Sequence, residues 1–393
     1  MRSPNNSSSV LLGSALVVVA LAATACSSSG KSSSSSSGGS SSASTNSSGS
    51  STVAGTSGSS AVAPAGKYAS GKKIILDTLY RAPLAQNQAA GVKLAASEAG
   101  ASVNWVGPAD INPSEAIKDL QNAVATGADG AIVAAFPGNL FKVPIDHANM
   151  PVITVDLESP GSKAVTHLGP NKYALGVALA QQFAKAMPAK ASGEFVGGIC
   201  VPGLAVLVAP QQGFVDTMKK LRPGVTFKIN VPVDGDPTKN YGSWQRIIAQ
   251  NPKALGFFGE CDQDVPNLIK LKKDSGGKYL IGATSGDSPA NIAAVKSGIM
   301  TSIISQNGWP EGYLSAAILL GHIAKKTPLP NGWIDTGFTA ITKANADEVT
   351  ARINNPSLNA TEFKSFIQKV LSNPQGAAKP FTDCRGCGIT FTP

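Results

Sequence analysis

Histidine is nearly absent, with three in 393 residues, and charged residues make up only 15% of the chain. His147, His167 and His322 stand far apart with no ligand spacing, which reads against a zinc centre. No Gly-x-Ser-x-Gly occurs, so the strained turn that presents a hydrolase serine is missing. No Gly-x-Gly-x-x-Gly follows a strand, which removes the dinucleotide fingerprint. The stretch Gly66-Lys-Tyr-Ala-Ser-Gly71-Lys72-Lys73 imitates a phosphate loop, but it precedes its strand and lacks the closing Ser or Thr. Basic residues outnumber acidic ones, 33 to 24, for a net charge of +9. They are scattered, mostly as lysine pairs such as Lys219-Lys220 and Lys272-Lys273, with no aromatic-interleaved stripe. Nucleic acid is therefore not an expected partner. No catalytic set and no cofactor motif emerges.

What is present begins with an apolar run, Leu11 to Cys26, behind a basic Arg2. That layout reads as a secretory signal. It is shorter than the ~20 apolar residues of a membrane span. Its ending, Leu21-Ala-Ala-Thr-Ala-Cys26, resembles a bacterial lipobox, with Ala23 where leucine is more usual. The expectation is a lipoprotein signal over residues 1–25 and lipidation at Cys26, placing the protein on the extracytoplasmic face of the cell membrane. From Ser27 to Gly66 the chain is almost only Ser, Gly, Ala and Thr, with Lys31 the sole charge. Such a composition cannot bury enough apolar surface to order itself. Residues 26–66 read as a flexible tether with a reach on the order of 35 Å.

Beyond the tether, short apolar runs alternate with amphipathic segments. Lys73 to Leu79 predicts a buried strand, Pro83 to Ala99 a helix stopped by Gly100, and Ser102 to Val106 the next strand. Asn112-Pro113 predicts an N-cap and first helical residue. Strands are expected at 130–136 and 151–157, and a second strand-helix series starts after Asn171. A last long helix runs over 310–325, and a shorter one over 362–371. This alternation predicts α/β architecture: two doubly wound parallel-sheet lobes, with ligands beyond the carboxyl ends of the strands.

Several of these segments carry a family resemblance. They are Ala82-Pro83, Pro151-Val-Ile-Thr-Val-Asp156, Thr166-His-Leu-Gly-Pro-Asn171 with Gly176, Phe257-Phe-Gly-Glu-Cys-Asp262, Leu280-Ile-Gly-Ala-Thr-Ser285, and Ile304-Ser-Gln306 with Gly312. In this order they resemble the ribose- and galactose-type substrate-binding proteins of bacterial ABC importers, the type I periplasmic binding fold. The resemblance covers 72–326. It implies a hinge of three segments, near residues 170, 306 and 328, closing the lobes around a solute. The first lobe would comprise 67–170 plus 307–327, and the second 171–306 plus 328–393 with a C-terminal extension.

Such a cleft strips water from its guest, so each polar group needs a partner. The strand-end positions hold Tyr80, Arg81, Phe136, Asp156, Asp262, Thr284 and Gln306, with Trp309 opening the next helix. Tyr80, Phe136 and Trp309 are candidates to sandwich a ring. Asp156 and Gln306 are candidates to hold hydroxyl groups. The chain departs from the sugar-binding pattern at Leu157, Val206-Leu-Val208, Cys261 and Thr284, where polar residues are usual, and at Leu84, where an aromatic often sits. The guest is thus expected to be sugar-like by family default, or a less polar, partly aromatic solute.

Four cysteines follow Cys26, namely Cys200, Cys261, Cys384 and Cys387, and an even set in an exported protein favours disulfides. In a doubly wound order the strands ending at Cys200 and Cys261 are neighbours, which predicts a bridge at the cleft edge. Cys384-Arg-Gly-Cys387 has a redox spacing, yet its glycines suit a small structural loop. The expected protein is a monomer without catalytic activity that captures a small solute for an ABC permease and its ATPase. A sensor for a membrane signalling partner and a thiol-disulfide enzyme using the C-x-x-C are the alternatives.

Overall fold

The computed structural model describes residues 66–388. The expected signal over 1–25, the lipidation site Cys26 and nearly all of the 26–66 tether lie outside the described residues.

The chain first lays down β1 (Lys73–Asp77), α1 (Pro83–Ala99), β2 (Ser102–Val106), α2 (Pro113–Ala125), β3 (Gly130–Val133), α3 (Gly138–His147), β4 (Val152–Val155) and β5 (Thr166–Gly169). A second series follows: α4 (Lys172–Lys185), β6 (Gly193–Ile199), α5 (Ala205–Leu221), β7 (Val225–Pro232) and α6 (Pro237–Gln250). It continues through β8 (Gly256–Gly259), α7 (Asp264–Ser275), β9 (Leu280–Ala283), α8 (Pro289–Lys296) and β10 (Ser302–Ser305). The last elements are α9 (Gly308–Lys325), β11 (Gly332–Asp335), β12 (Thr339–Ile341), α10 (Ala346–Asn354), α11 (Ser357–Glu362), α12 (Lys364–Ser372), α13 (Pro374–Ala377) and a 3-10 turn (Phe381–Asp383).

Two six-stranded sheets result, in the orders β11-β5-β4-β3-β1-β2 and β12-β10-β9-β8-β6-β7. All pairings are parallel except β10 with β12. The central strands are wholly buried, as in GAIV of β3 and VITV of β4, because helices cover both faces. Local signals set many boundaries. Asn112 accepts from the Glu115 amide at 3.2 Å ahead of Pro113, and Gly100 ends α1 in the left-handed region at φ 79°. Helix α3 escapes such reading: it has no side-chain cap and contains Pro144, which pattern rules treat as a breaker.

In each lobe the first helix and a later partner cross in backbone contact. A Cβ on Gly91 of α1 would lie 2.1 Å from the Trp309 carbonyl oxygen of α9, and one on Gly312 would lie 2.0 Å from that of Gln88. The second lobe repeats the device. A Cβ on Gly176 of α4 would lie 1.7 Å from the Pro210 carbonyl oxygen of α5, and one on Gly213 of α5 would lie 2.1 Å from that of Tyr173. Only glycine permits these approaches.

The crossings between the lobes depart from expectation at the C-terminal end. The chain passes from the first sheet to the second between Gly169 and Lys172, and returns between Ser305 and Gly308. The third passage lies at 336–338, not near 328, because β11 pairs with β5 in the first sheet, Trp333 opposite His167. Residues 328–393 accordingly do not all belong to the second lobe. After β12 and α10, which pack on that lobe, α11 and α12 carry the chain across a fourth time, and Ile367 and Val370 enter the core of the first lobe. Lys379 then bridges Trp333 at the edge of the first sheet.

Candidate ligand-binding cleft

The carboxyl ends of both sheets face one cavity of about 110 Å³. A single water needs roughly 10–15 Å³ on this measure. The space therefore suits a guest of about ten heavy atoms, the size of one sugar ring. From the first lobe come Tyr80 behind β1, Phe136 behind β3 and Asp156 behind β4. From the second come Asp262 behind β8, Thr284 behind β9 and Gln306 behind β10.

Two candidates lie elsewhere. Trp309 is 3% exposed and stacks on Tyr313 and Phe363, at 5.3 and 6.3 Å between ring centres. Its place at the start of α9 turns it toward α1 and α12, into the core of the first lobe. Arg81 is exposed, donates from Nε to the Gly107 carbonyl at 3.2 Å and lies over the Trp105 ring. Neither lines the cavity.

The polar groups of the cleft form connected sets. The Tyr80 hydroxyl donates to Asp262 Oδ2 at 2.9 Å, across the two lobes. Burial pushes the Asp262 carboxyl up to about 6, against the lowering effect of that hydrogen bond. Asp156 takes φ 58°, a left-handed geometry that aspartate tolerates better than most residues. Its carboxylate pairs with Lys172 Nζ, which also donates to Gln306 Oε1 at 2.5 Å. Gln306 Nε2 donates in turn to the Thr284 carbonyl at 3.3 Å. Thr284 donates through Oγ1 to Glu260 Oε2. The other oxygen, Glu260 Oε1, is buried with no partner among the described residues. Burial drives the Glu260 carboxyl well above its ordinary range, so it favours its neutral form.

Lys172 and Glu260 were not among the sequence candidates, although each left a trace. A lysine in the first turn of a helix opposes the helix dipole, so Lys172 behind its cap Asn171 must be held for another reason. Glu260 follows the wholly buried run GFFG, where a carboxylate is costly without a purpose. Much of the remaining wall is apolar, including Leu84, Leu157, Val201, Leu204, Val206 and Leu207, with Thr78, Gln88, Gln263 and Ser285 the polar members. Most positions where the sequence departs from the sugar-binding pattern thus line the cavity, Leu84 and Leu157 from the first lobe and Val206, Leu207, Cys261 and Thr284 from the second.

Cys200 and Cys261 border the cleft with their sulfurs at bonding distance and Cα atoms 6.3 Å apart. Their strands, β6 and β8, are neighbours in the second sheet. Cys384 and Cys387 are also adjacent in space, but both are buried. They sit in a loop after a short 3-10 turn rather than at a helix start, which removes the setting a thiol-disulfide enzyme needs. His167 is far from the other two histidines and has no ligand spacing in the sequence, whereas the fold sets it beside these two cysteines.

A model described as "Periplasmic binding protein domain" matches residues 79–327. No curated protein matches the chain. Among solved structures, an ABC transporter solute-binding protein from Agrobacterium vitis, bound with alpha-D-tagatopyranose, is 24% identical with a TM-score of 0.64, over 72% of this chain and 98% of that one. One from Burkholderia graminis C4D1M, in complex with D-arabinose, is 23% identical with a TM-score of 0.63, over 70% and 97%. AraP, an arabinose-binding protein from Geobacillus stearothermophilus, is 23% identical with a TM-score of 0.61, over 70% and 98%. These likenesses share the two-lobed fold. With the matched region spanning both sheets and the cavity between them, the chain belongs to the periplasmic binding protein domain family.

Proposed function

We propose that this protein is the extracytoplasmic solute-binding lipoprotein of an ABC importer, and that it captures a single-ring sugar with one apolar face. The observation that carries this reading is the convergence of Tyr80, Asp156, Lys172, Glu260, Asp262 and Gln306, from both lobes, on one monosaccharide-sized cavity. Solved relatives hold tagatopyranose and arabinose, which supports a sugar. Carboxylates and amides offer hydroxyl partners, while Leu157, Val206 and Leu207 offer a surface for ring carbons. The cleft holds its guest without transforming it. A Cys200–Cys261 disulfide would tie two strand ends of the cavity floor in the oxidising compartment. The lipid on Cys26 would keep the receptor near its permease, and its working form would be a monomer.

A thermal-shift screen against sugars, polyols, nucleosides and aromatic acids tests the reading, because a ligand bound only by the folded state raises the melting temperature. A monosaccharide is expected to give the largest shift. A shift confined to nucleosides or aromatic acids would overturn the sugar assignment.

A further inference from the structure

Basic residues that are scattered along the sequence gather at one end of the second lobe. In a parallel sheet each covering helix returns the chain to the amino edge of the next strand, so helix ends and strand starts share one face. That face is opposite the cleft, which lies at the carboxyl ends. In the second lobe the crossings run from α4, α5, α6, α7 and α8 into β6, β7, β8, β9 and β10, and each brings lysine. The crossing into β6 carries Lys185 and Lys190, and that into β7 Lys219 and Lys220. Lys253 precedes β8, and Lys273 and Lys278 precede β9. All of these are exposed, and none has an ion-pair partner among the described residues. Lys296, before β10, is paired with Asp347. The acids at this end are Glu194, Asp274, Asp347 and Glu348, and the last three already meet Lys270, Lys296 and Arg352.

The attraction of lysine to helix C-termini does not account for this concentration. Lys190, Lys253 and Lys278 lie in loops beyond the helix ends. The first lobe is built the same way, yet its crossings after α1, α2 and α3 hold Glu98, Asp129 and Asp146 and no lysine or arginine. Among the lysines of the second lobe, Leu221 ends α5 with 40% of its surface exposed. We infer that this end of the second lobe is a docking face for an anionic phospholipid bilayer. The unpaired ammonium groups meet headgroup phosphates, and Leu221 enters the boundary beneath them. Docking there leaves the cleft, at the other edge of the sheet, open to solute. The inference goes beyond solute capture and takes from the proposed function only the membrane location.

The test uses the exported chain with Cys26→Ser, so that no acyl chain contributes, and cosedimentation with phosphatidylcholine vesicles, plain or about one third phosphatidylglycerol. At low salt, partitioning onto the anionic vesicles is expected to be at least roughly tenfold stronger, falling to the neutral level at about 1 M salt. Combining Lys190→Glu, Lys219→Glu, Lys220→Glu and Lys253→Glu is expected to abolish the preference. The same charge change elsewhere, through Lys118→Glu, Lys239→Glu, Lys364→Glu and Lys369→Glu, is expected to leave it within about twofold. Thermal melting reports whether each variant folds; if the first glutamate set does not, glutamine at its positions carries the test, with a roughly fivefold loss expected. Leu221→Ser is expected to weaken anionic-vesicle binding about threefold. Equal partitioning onto both vesicles would overturn the inference, as would undiminished binding in the folded charge variant or an equal loss in the control set. Unchanged binding in Leu221→Ser would overturn the bilayer assignment, since the face would then read phosphate charge alone.

Discussion

The Tyr80 hydroxyl reaches across the cleft to Asp262 Oδ2 at 2.9 Å, so a loop of the first lobe is latched to a turn of the second. The two residues stand 182 positions apart in the chain. A hydrogen bond to a carboxylate is worth about 1.5–3 kcal/mol. Removing it with Tyr80→Phe is expected to favour the open form and to weaken solute binding about tenfold. Calorimetry measures the affinity, and X-ray scattering of the solute-free protein measures the opening. Unchanged affinity together with an unchanged radius of gyration would show that the latch is idle.

The Lys172–Asp156 pair predicts a larger effect on stability. The lysine is 2% exposed and its partner 19%. Breaking a buried pair strands one charge, at a cost of about 3–5 kcal/mol. Lys172→Met is expected to lower the denaturant midpoint accordingly, and the double change with Asp156→Asn to recover more than half of the loss. Equal midpoints for all three proteins would refute the pairing argument.

Glu260 separates charge from hydrogen bonding. Because burial favours its neutral carboxyl, Glu260→Gln preserves shape and polarity and is expected to keep solute affinity within about threefold. Glu260→Ala leaves the Thr284 hydroxyl without its Glu260 acceptor and the cavity wall incomplete, with at least a tenfold loss expected. Isothermal titration of both variants decides the matter; equal losses would mean that the residue acts by ionic charge after all.

Stability should rise in mild acid. Burial lifts the carboxyls of Asp77, Glu260 and Glu311 well above their ordinary values, Glu158 from 4.5 to about 7 and Asp262 from 3.8 to about 6. Over the window between the ordinary and raised values the folded chain binds more protons than the unfolded chain. Stability therefore falls as pH rises through that window. His167 acts in the opposite sense: burial lowers it from 6.5 to about 3, so below 6.5 only the unfolded chain gains that proton. Five carboxyls outweigh one imidazole, and the denaturant midpoint is expected to be higher at pH 5.5 than at pH 7.5. A midpoint that climbs with pH would sink this account.

Much of the architecture was readable because its signals are local. Helices α1 and α8 begin and end where their prolines, Gly100 and the Ser288 cap place them. The strands read as short apolar runs because both sheet faces are covered. What was not readable depends on partners distant in the chain. Nothing in Gly332–Asp335 announces that it will pair with β5, yet that pairing moves the third crossing. Trp309 and Arg81 stand next to strand ends in sequence, but helix phase turns one inward and an exposed loop carries the other away. The chemistry around His167 was hidden for the same reason, since its cysteine neighbours arrive from the far end of the chain.

The fourth passage between lobes has a mechanical consequence. Arg352 of α10 meets Glu362 at 3.0 Å and lies over the Phe363 ring, closing a belt beside the 306–307 connection. A jaw hung on three strands swings as far as those strands bend. Here each degree of gape must also be absorbed by the belt, so on the proposed function a docking permease would meet a narrower range of jaw angles than three connections alone would allow.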